Sequence, residues 1–486
     1  MRDWENSAMV ARIEGNELGP ALIAALTAIP IGLLAGLEPR FAIGVALAIA
    51  FVLFALADLA AGLAAFVFLT FMAQIPNLAG PAVSFVKLAG LWLAISWIGT
   101  LAVGRGSSKR SFFTAHPGLS YALALFLVLN GLSYLWAEDG GQVLAAVLRY
   151  ALNISLFLII FTAVQTRLQL RWVVIAFVAG ATVSGLYGIV NPPSDALDPT
   201  RLSGTIGNAN ELATALVAGI ALSGGLAVAA RTPLGRVAAL FAGGACLFSL
   251  FLTASRGGLV GLAFMLVATI LIGGRHRVML GLVAILVAML GIAYFTALAP
   301  PQAQERITQQ DGGTGRIDLW TVGKRMVEDK PVTGVGAGNF TTASVHYLLL
   351  PGALERSDLI VDDPQPTHNT YLEVFAELGL PGGILFMSLI VFALACGVRA
   401  TREFLRRGDR QMQVMTAAVV VALVGTLAAD IFVSDEYSKQ LWLLLGLCPA
   451  LLAIATATAS PAESERSRTA QARPAPAGPV SASSSS

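Results

Sequence analysis

The chain has 486 residues, of which 56% are hydrophobic and only 12% charged, and its mean hydropathy is +0.74. Average soluble domains carry about 25% charged residues, so this composition excludes an ordinary soluble protein and leaves most of the chain solvated by lipid or by its own helices. A net charge of +2, with no Lys/Arg tract interleaved with aromatics, gives no footprint for nucleic acid.

The first seventeen residues are mixed and charged, and the apolar run after them continues into further spans, so no cleavable signal peptide is evident. A spanning helix needs about 20 mostly apolar residues. Such stretches lie at 18–37, 40–57, 58–76, 83–104, 117–136, 143–164, 171–190, 208–230, 236–254, 257–274 and 277–298, about eleven spans within 18–298. Three more follow at 379–399, 411–433 and 439–457, within 379–457. The pair 40–57 and 58–76 is short and joined only around Asp58, and reading both as a re-entrant pair leaves the downstream parity unchanged. Residues 299–378 form one long loop, and the Pro/Ala/Ser-rich stretch 458–486 reads as a disordered tail.

Orientation follows from the short loops, which keep Lys and Arg on the cytoplasmic side. Arg105, Lys109 and Arg110 share one loop; Arg167 with Arg171, Arg231 with Arg236, Arg275 with Arg277, and Arg399 to Arg410 occupy later alternate ones. The intervening loops are acidic or neutral, as at Glu138-Asp139, Asp195 with Asp198, and Asp435-Glu436. Fourteen crossings with both termini (1–17 and 458–486) in the cytoplasm satisfy this alternation, which puts the long loop on the outer, periplasmic side.

Cys246, Cys396 and Cys448 each fall inside an apolar run without metal-ligand or redox spacing, and read as small core residues. His116, His276, His346 and His368 are scattered, so no histidine metal cluster is visible.

Arginine is costly near lipid, so an arginine on the outer side between apolar segments asks for a reason. Arg201 lies in NPPSDALDPTRLSGTIGNANEL, just before a span, and the following Gly204, Gly207, Asn208 and Asn210 lead into a helix N-terminus that favours anions. Arg256 lies in TASRGGL, in a turn only a few residues long, and reads equally well as a headgroup anchor. In the long loop, GRIDLWTVGKRMVEDKP has Ile317, Trp320 and Val327 near helical spacing with Arg316, Lys324, Arg325 and Lys330 around them, as in an interfacial amphipathic helix. The glycines of VTGVGAGNF (Gly334, Gly336 and Gly338) read as a tight structural turn more readily than as a phosphate loop, since no strand precedes them. In PTHNTYLEVFAELGLPGG, His368 and Asn369 start an amphipathic segment in which Tyr371, Val374, Phe375 and Leu378 alternate with Glu373 and Glu377, broken at Gly379 before the next span. Two guanidinium groups suit a diphosphate and the charge it gains on leaving, and an imidazole suits proton removal from a hydroxyl.

Together, RLSGTIGNANELA, SRGGL, GRIDLWTVGKRMVEDKPVTGVGAGNF and PTHNTYLEVFAELGLPGG resemble the O-antigen ligase and O-antigen polymerase family of bacterial membrane glycosyltransferases, over roughly residues 120–450. The resemblance implies an all-α polytopic membrane bundle of GT-C type with one large periplasmic loop, set in the inner membrane. It implies an undecaprenyl-diphosphate-linked glycan donor, a glycan or lipid A-core acceptor, and inverting transfer at the periplasmic face without metal or other cofactor. Position by position, Arg201 and Arg256 would hold the diphosphate, Arg316 would match a further basic position, and His368 would act as general base. Asn369, Tyr371 and Glu373 would orient that base or the acceptor. The motifs do not separate ligases, which use lipid A-core, from polymerases of O-antigen or exopolysaccharide.

The competing class is a multispan transporter of a small anion such as bicarbonate, or of a lipid-linked precursor. Against it stand the lack of paired internal repeats and the scarcity of ionisable residues deep in spans, Arg149 near the outer end of 143–164 being the nearest exception. A metal-dependent transferase would use Asp358, Asp362 and Asp363, which read better as a solvated loop.

Overall fold

The computed structural model describes residues 51, 54–73, 85–102, 112–192, 201–308, 315–348, 360 and 364–457. Among them the regular structure is entirely helical. The main helices are α1 (Leu59–Leu69), α2 (Phe85–Ala102), α3 (Pro117–Leu132), α4 (Gly140–Ala163), α5 (Arg167–Val190), α6 (Ala209–Ala229) and α7 (Pro233–Leu252). They continue as α8 (Arg256–Ile272), α9 (Arg277–Ala293), α10 (Pro301–Thr308), α11 (Arg316–Asp329), α12 (Thr370–Arg406), α13 (Arg410–Ala429) and α14 (Lys439–Ala457).

Nine helical stretches among the described residues are long and apolar enough to cross a membrane, with α2 and α8 slightly shorter apolar helices beside them. The protein is a multi-pass membrane protein with an all-α bundle. Lipid cannot satisfy backbone N–H groups, so the helix starts carry their own acceptors. The side chains of Asp139, Thr166, Asn208, Ser255, Asn369 and Asp409 each accept from the first-turn N–H groups of the helix they precede.

Burial sorts the helices. In α6, α13 and α14, 72% of each membrane-length stretch is buried, against 6% around α9. The first three therefore form the centre, with α6 packed on α5, α7, α8 and α13, and α14 on α4, α12 and α13. On α9 the large side chains Leu282, Ile285, Leu286 and Met289 face outward, as a lipid-facing helix requires.

The alternation of loop charge has a spatial counterpart. At one end Arg167 pairs with Asp409, and Arg231 Nη2 donates to Gln411 Oε1 at 3.2 Å, which joins three of the basic connections. At the other end Asn339 Oδ1 accepts from Asp139 N at 2.8 Å, and Thr370 N donates to Val433 O at 2.9 Å, which ties the acidic connections to the segments around α11 and the start of α12.

Two expectations change. The stretch 58–76 yields only the 11-residue α1, about 16 Å of helix, too short for a span by itself. Its end is held in the core, where Phe71 packs edge-on to Phe177 and its carbonyl accepts from Thr205 Oγ1. The stretches 18–37 and most of 40–57 lie outside the described residues, as do Arg105, Lys109, Arg110, Asp195, Asp198 and 458–486.

The second change concerns α11, which is helical, with Trp320 and Val327 of the Ile317/Trp320/Val327 stripe partly buried and Ile317 turned outward. Ile317 is 62% exposed, and the buried face is Leu319, Val322, Gly323 and Met326, packed with Val335, Phe340 and Ala376. The helix docks on α12, so protein contacts choose its apolar face. Within α12 the backbone breaks at Gly379 (φ 65°, ψ −170°), where a Cβ would come 2.7 Å from the carbonyl carbon of Val332. The segment 370–378 is thus set apart from the long helix that follows, as the Gly379-Leu380-Pro381-Gly382 sequence suggests.

Candidate functional site

The site assembles from helix starts. Arg201 precedes α6 and is fixed from two directions: its Nε donates to Thr253 O at 2.9 Å and its Nη2 to Asn210 Oδ1 at 2.8 Å. The same Asn210 oxygen accepts from Ser255 Oγ at 2.9 Å, while Ser255 Oγ accepts from Gly258 N at 3.2 Å. Ser255 is the cap of α8 and Arg256 its first residue, so one amide oxygen joins the two arginine-bearing segments. The turn between α7 and α8 is tight enough to hold Ala254 at φ 46°.

Arg256 Nε donates to Arg306 O at 2.6 Å, which brings the end of α10 against the start of α8. Arg316, the first residue of α11, lies within electrostatic range of both Arg306 and Arg256. Burial first, then those two positive charges, lowers its pKa to about 10. Such crowding of like charge is what an anion would relieve.

His368 is next in this sequence of neighbours. Burial, and after it the charge of Arg316, lowers its pKa to about 4, so the imidazole is neutral at ordinary pH and able to accept a proton. Its backbone has φ 51°, in the left-handed region that non-glycine residues rarely occupy. The surrounding hydrogen bonds hold it there. Thr367 Oγ1 lies 2.9 Å from Asn369 O and 3.1 Å from Glu373 Oε2, and accepts from Asn369 N at 3.0 Å. Trp320 Nε1 donates to Thr367 O at 3.0 Å, and Ser434 Oγ donates to Glu373 Oε2. Asn369 Oδ1 caps α12 by accepting from Tyr371 N and Leu372 N, and Tyr371 Oη donates to Leu427 O at 2.6 Å. Asn369, Tyr371 and Glu373 therefore direct their polar atoms into the protein, where they clamp the His368 turn between α11, α13 and the 433–435 segment.

The structure thus brings Arg201, Arg256, Arg316 and His368 onto one patch, linked through Asn210, Ser255 and Arg306. Arg306 was missed by the sequence reading, since QAQERIT resembles any polar loop segment. The glycine loop lies elsewhere and its N–H groups are occupied. Val335 N donates to Ala376 O (3.0 Å), Gly336 N to Glu377 O (2.8 Å) and Ala337 N to Ser133 Oγ (3.0 Å). The backbones of Gly338 and Phe340 point at the buried Glu377 carboxyl group, so this cradle is filled by the protein's own side chain. His346 is also apart, with its Nε2 2.9 Å from Glu138 Oε2. Asp358, Asp362 and Asp363 lie outside the described residues.

Residues 237–387 match the family model described as O-antigen ligase. That segment is similar to the O-antigen ligase family. The matched range is just under a third of the chain and contains Arg256, Arg306, Arg316 and His368; Arg201 lies before it and is joined to it through Asn210 and Ser255. No curated protein matches the chain.

Proposed function

We propose that this protein is a membrane glycosyltransferase that moves a glycan from an undecaprenyl-diphosphate donor to a sugar hydroxyl at the periplasmic face of the bacterial inner membrane. The observation that carries the reading is the cluster of four arginines, Arg201, Arg256, Arg306 and Arg316, beside a neutral, half-buried His368. The acceptor oxygen bonds to the anomeric carbon as the bond from that carbon to the diphosphate oxygen breaks. The bonding pair leaves with the diphosphate, where the guanidinium groups offset the growing negative charge. The hydroxyl proton passes to His368. Attack opposite the leaving group inverts the anomeric centre. The alternation of basic and acidic connections supports an outward-facing site, because the arginine patch lies at the end opposite the Arg167–Asp409 and Arg231–Gln411 contacts.

Deleting the gene and analysing the glycans tests this reading. Single repeat units held on lipid carrier would indicate polymerase action, and long unattached chains would indicate ligation to lipid A-core. Unchanged glycans would overturn the proposal. Complementation with His368→Ala or Arg256→Ala, correctly inserted in the membrane, is expected to leave the defect in place.

A further inference from the structure

An open cavity of about 660 Å³ lies at the end of the bundle opposite the candidate site, where α6 ends and α7 and α13 begin. Three arginines line it, each from a different segment: Arg231 from the turn after α6, Arg236 as the fourth residue of α7, and Arg410 as the first residue of α13. All three are exposed. Gln411 ties the segments together, its Oε1 accepting from Arg231 Nη2 at 3.2 Å and its Nε2 donating to Ala229 O at 3.3 Å.

Basic residues are expected on one side of a membrane protein, and snorkelling explains any single one. What sets this cavity apart is charge without compensation. At the same end Arg167 pairs with Asp409, and Arg407 with Glu403 at 2.7 Å, so carboxylates do serve arginines there. No acidic residue lines the cavity, and among the described residues no ion pair joins Arg231, Arg236 or Arg410 to a carboxylate. The amide that Arg231 meets is neutral. Asp409, next to Arg410 in the chain, is held by Arg167 and by the Met412 N–H. Helix dipoles add to the imbalance, because Arg236 and Arg410 stand near the starts of their helices, where the positive end disfavours a cation. An anion in the cavity would meet three guanidinium groups and two helix starts.

The remaining wall is apolar, and its placement follows the helices. Leu240 stands one turn beyond Arg236 in α7, and Val414 one turn beyond Arg410 in α13, in both cases toward the membrane interior. Val228 lies in the last turn of α6, on the interior side of Arg231. Val228 and Leu240 are 61% and 60% exposed. The arginines therefore form the mouth of a groove whose apolar wall runs toward the bilayer centre, a shape suited to an amphiphile with an anionic head.

We infer that this cavity binds an anionic phospholipid of the surrounding membrane, its headgroup phosphate among Arg231, Arg236 and Arg410 and an acyl chain along Val228, Leu240 and Val414. Such a lipid joins the end of α6 to the starts of α7 and α13. Because α6 and α13 are central helices, its binding stabilises the folded bundle. The binding does not depend on the glycosyl-transfer reading.

The test is native mass spectrometry and thermal unfolding of the purified full chain titrated with phosphatidylglycerol, with phosphatidylethanolamine of the same acyl chains and inorganic phosphate as comparisons. The wild type should bind phosphatidylglycerol about tenfold or more tighter than phosphatidylethanolamine, and melt at a higher temperature in its presence. Arg231→Gln/Arg236→Gln/Arg410→Gln should weaken phosphatidylglycerol binding about tenfold or more and lose the thermal gain. Arg275→Gln/Arg277→Gln removes two exposed arginines at the same end but outside the cavity, and should change neither quantity. If the triple variant does not fold, Arg236→Gln and Arg410→Gln carry the test singly, each weakening binding about fivefold. Variants of the cavity that bind like the wild type, an equal loss in Arg275→Gln/Arg277→Gln, or equal binding of the two lipids would overturn the proposal. Inorganic phosphate that displaces phosphatidylglycerol at the lipid's own concentration would show that the arginines take a free anion, and would overturn it as well.

Discussion

The Arg201 guanidinium donates through Nη2 to Asn210 Oδ1 at 2.8 Å, and that oxygen also accepts from Ser255 Oγ, the cap of the helix that Arg256 begins. One small side chain therefore sets the spacing of two guanidinium groups from separate loops. Asn210→Ala should free Arg201 on one side and raise the donor KM, with a loss on the order of 1–3 kcal/mol expected for a removed partner of a charged donor, or roughly 5- to 150-fold in affinity. Asn210→Asp should hold Arg201 at least as firmly, yet place a negative charge where the diphosphate is expected, and so bind donor more weakly than Asn210→Ala. Donor affinity measured on the three proteins checks this order, and tighter binding by Asn210→Asp would refute it.

The pKa of His368 gives a pH signature. Burial and the Arg316 charge lower it to about 4, so the neutral, proton-accepting form persists well below neutrality. If His368 is the base, kcat/KM should stay level as pH falls through 6.5 and drop only near 4, because this parameter reports the free enzyme. Donor diphosphate beside Arg316 would cancel part of the positive charge, so the corresponding limb in kcat should lie at higher pH. Arg316→Gln removes a charge that lowers the pKa, and should move the kcat/KM limb upward. A limb near 6.5 that ignores Arg316→Gln would remove His368 from that role.

The strained turn predicts a separation between activity and stability. His368 sits at φ 51°, which glycine adopts freely and other residues do not. His368→Gly should retain the wild-type melting temperature or exceed it while losing activity by about 10²–10⁴-fold, the range for removing a general base. His368→Ala should be equally inactive with no such gain. Melting curves and initial rates on both variants decide the matter; a His368→Gly protein that is markedly less stable would show that the side chain's packing holds the turn.

Hydropathy is a local property, which is why helices such as α4, α6 and α13 were legible in the sequence to within a few residues. Arg201 and Arg256 stood out for a related reason, as charges between apolar runs on the side where short loops are acidic. Arg306 had no such contrast, since its tie to the patch is a backbone carbonyl accepting from Arg256. The apolar face of α11 was only partly legible, because Ile317 fits a helical period with Trp320 and Val327 yet stays exposed; only the docking on α12 distinguishes it. The partners that clamp the His368 turn, Trp320 and Ser434, are distant in sequence, and nothing local announces them.

The glycine loop offers the last prediction, because two readings of one motif diverge there. As a phosphate cradle its N–H groups would await a ligand, but Gly336 N is bound to Glu377 O and its neighbours to Ala376 O and Ser133 Oγ. Gly336 has φ 109°, and a Cβ would come 2.5 Å from Ala137 Cβ, so Gly336→Ala meets both a disfavoured backbone and a clash. The expected cost is about 1–3 kcal/mol of stability, seen as a lower melting temperature, with the donor KM of the folded fraction unchanged. A ligand loop would give the reverse, a raised donor KM at wild-type stability. Measuring both quantities on Gly336→Ala therefore separates a loop that holds the outer segment to α12 from one that holds substrate.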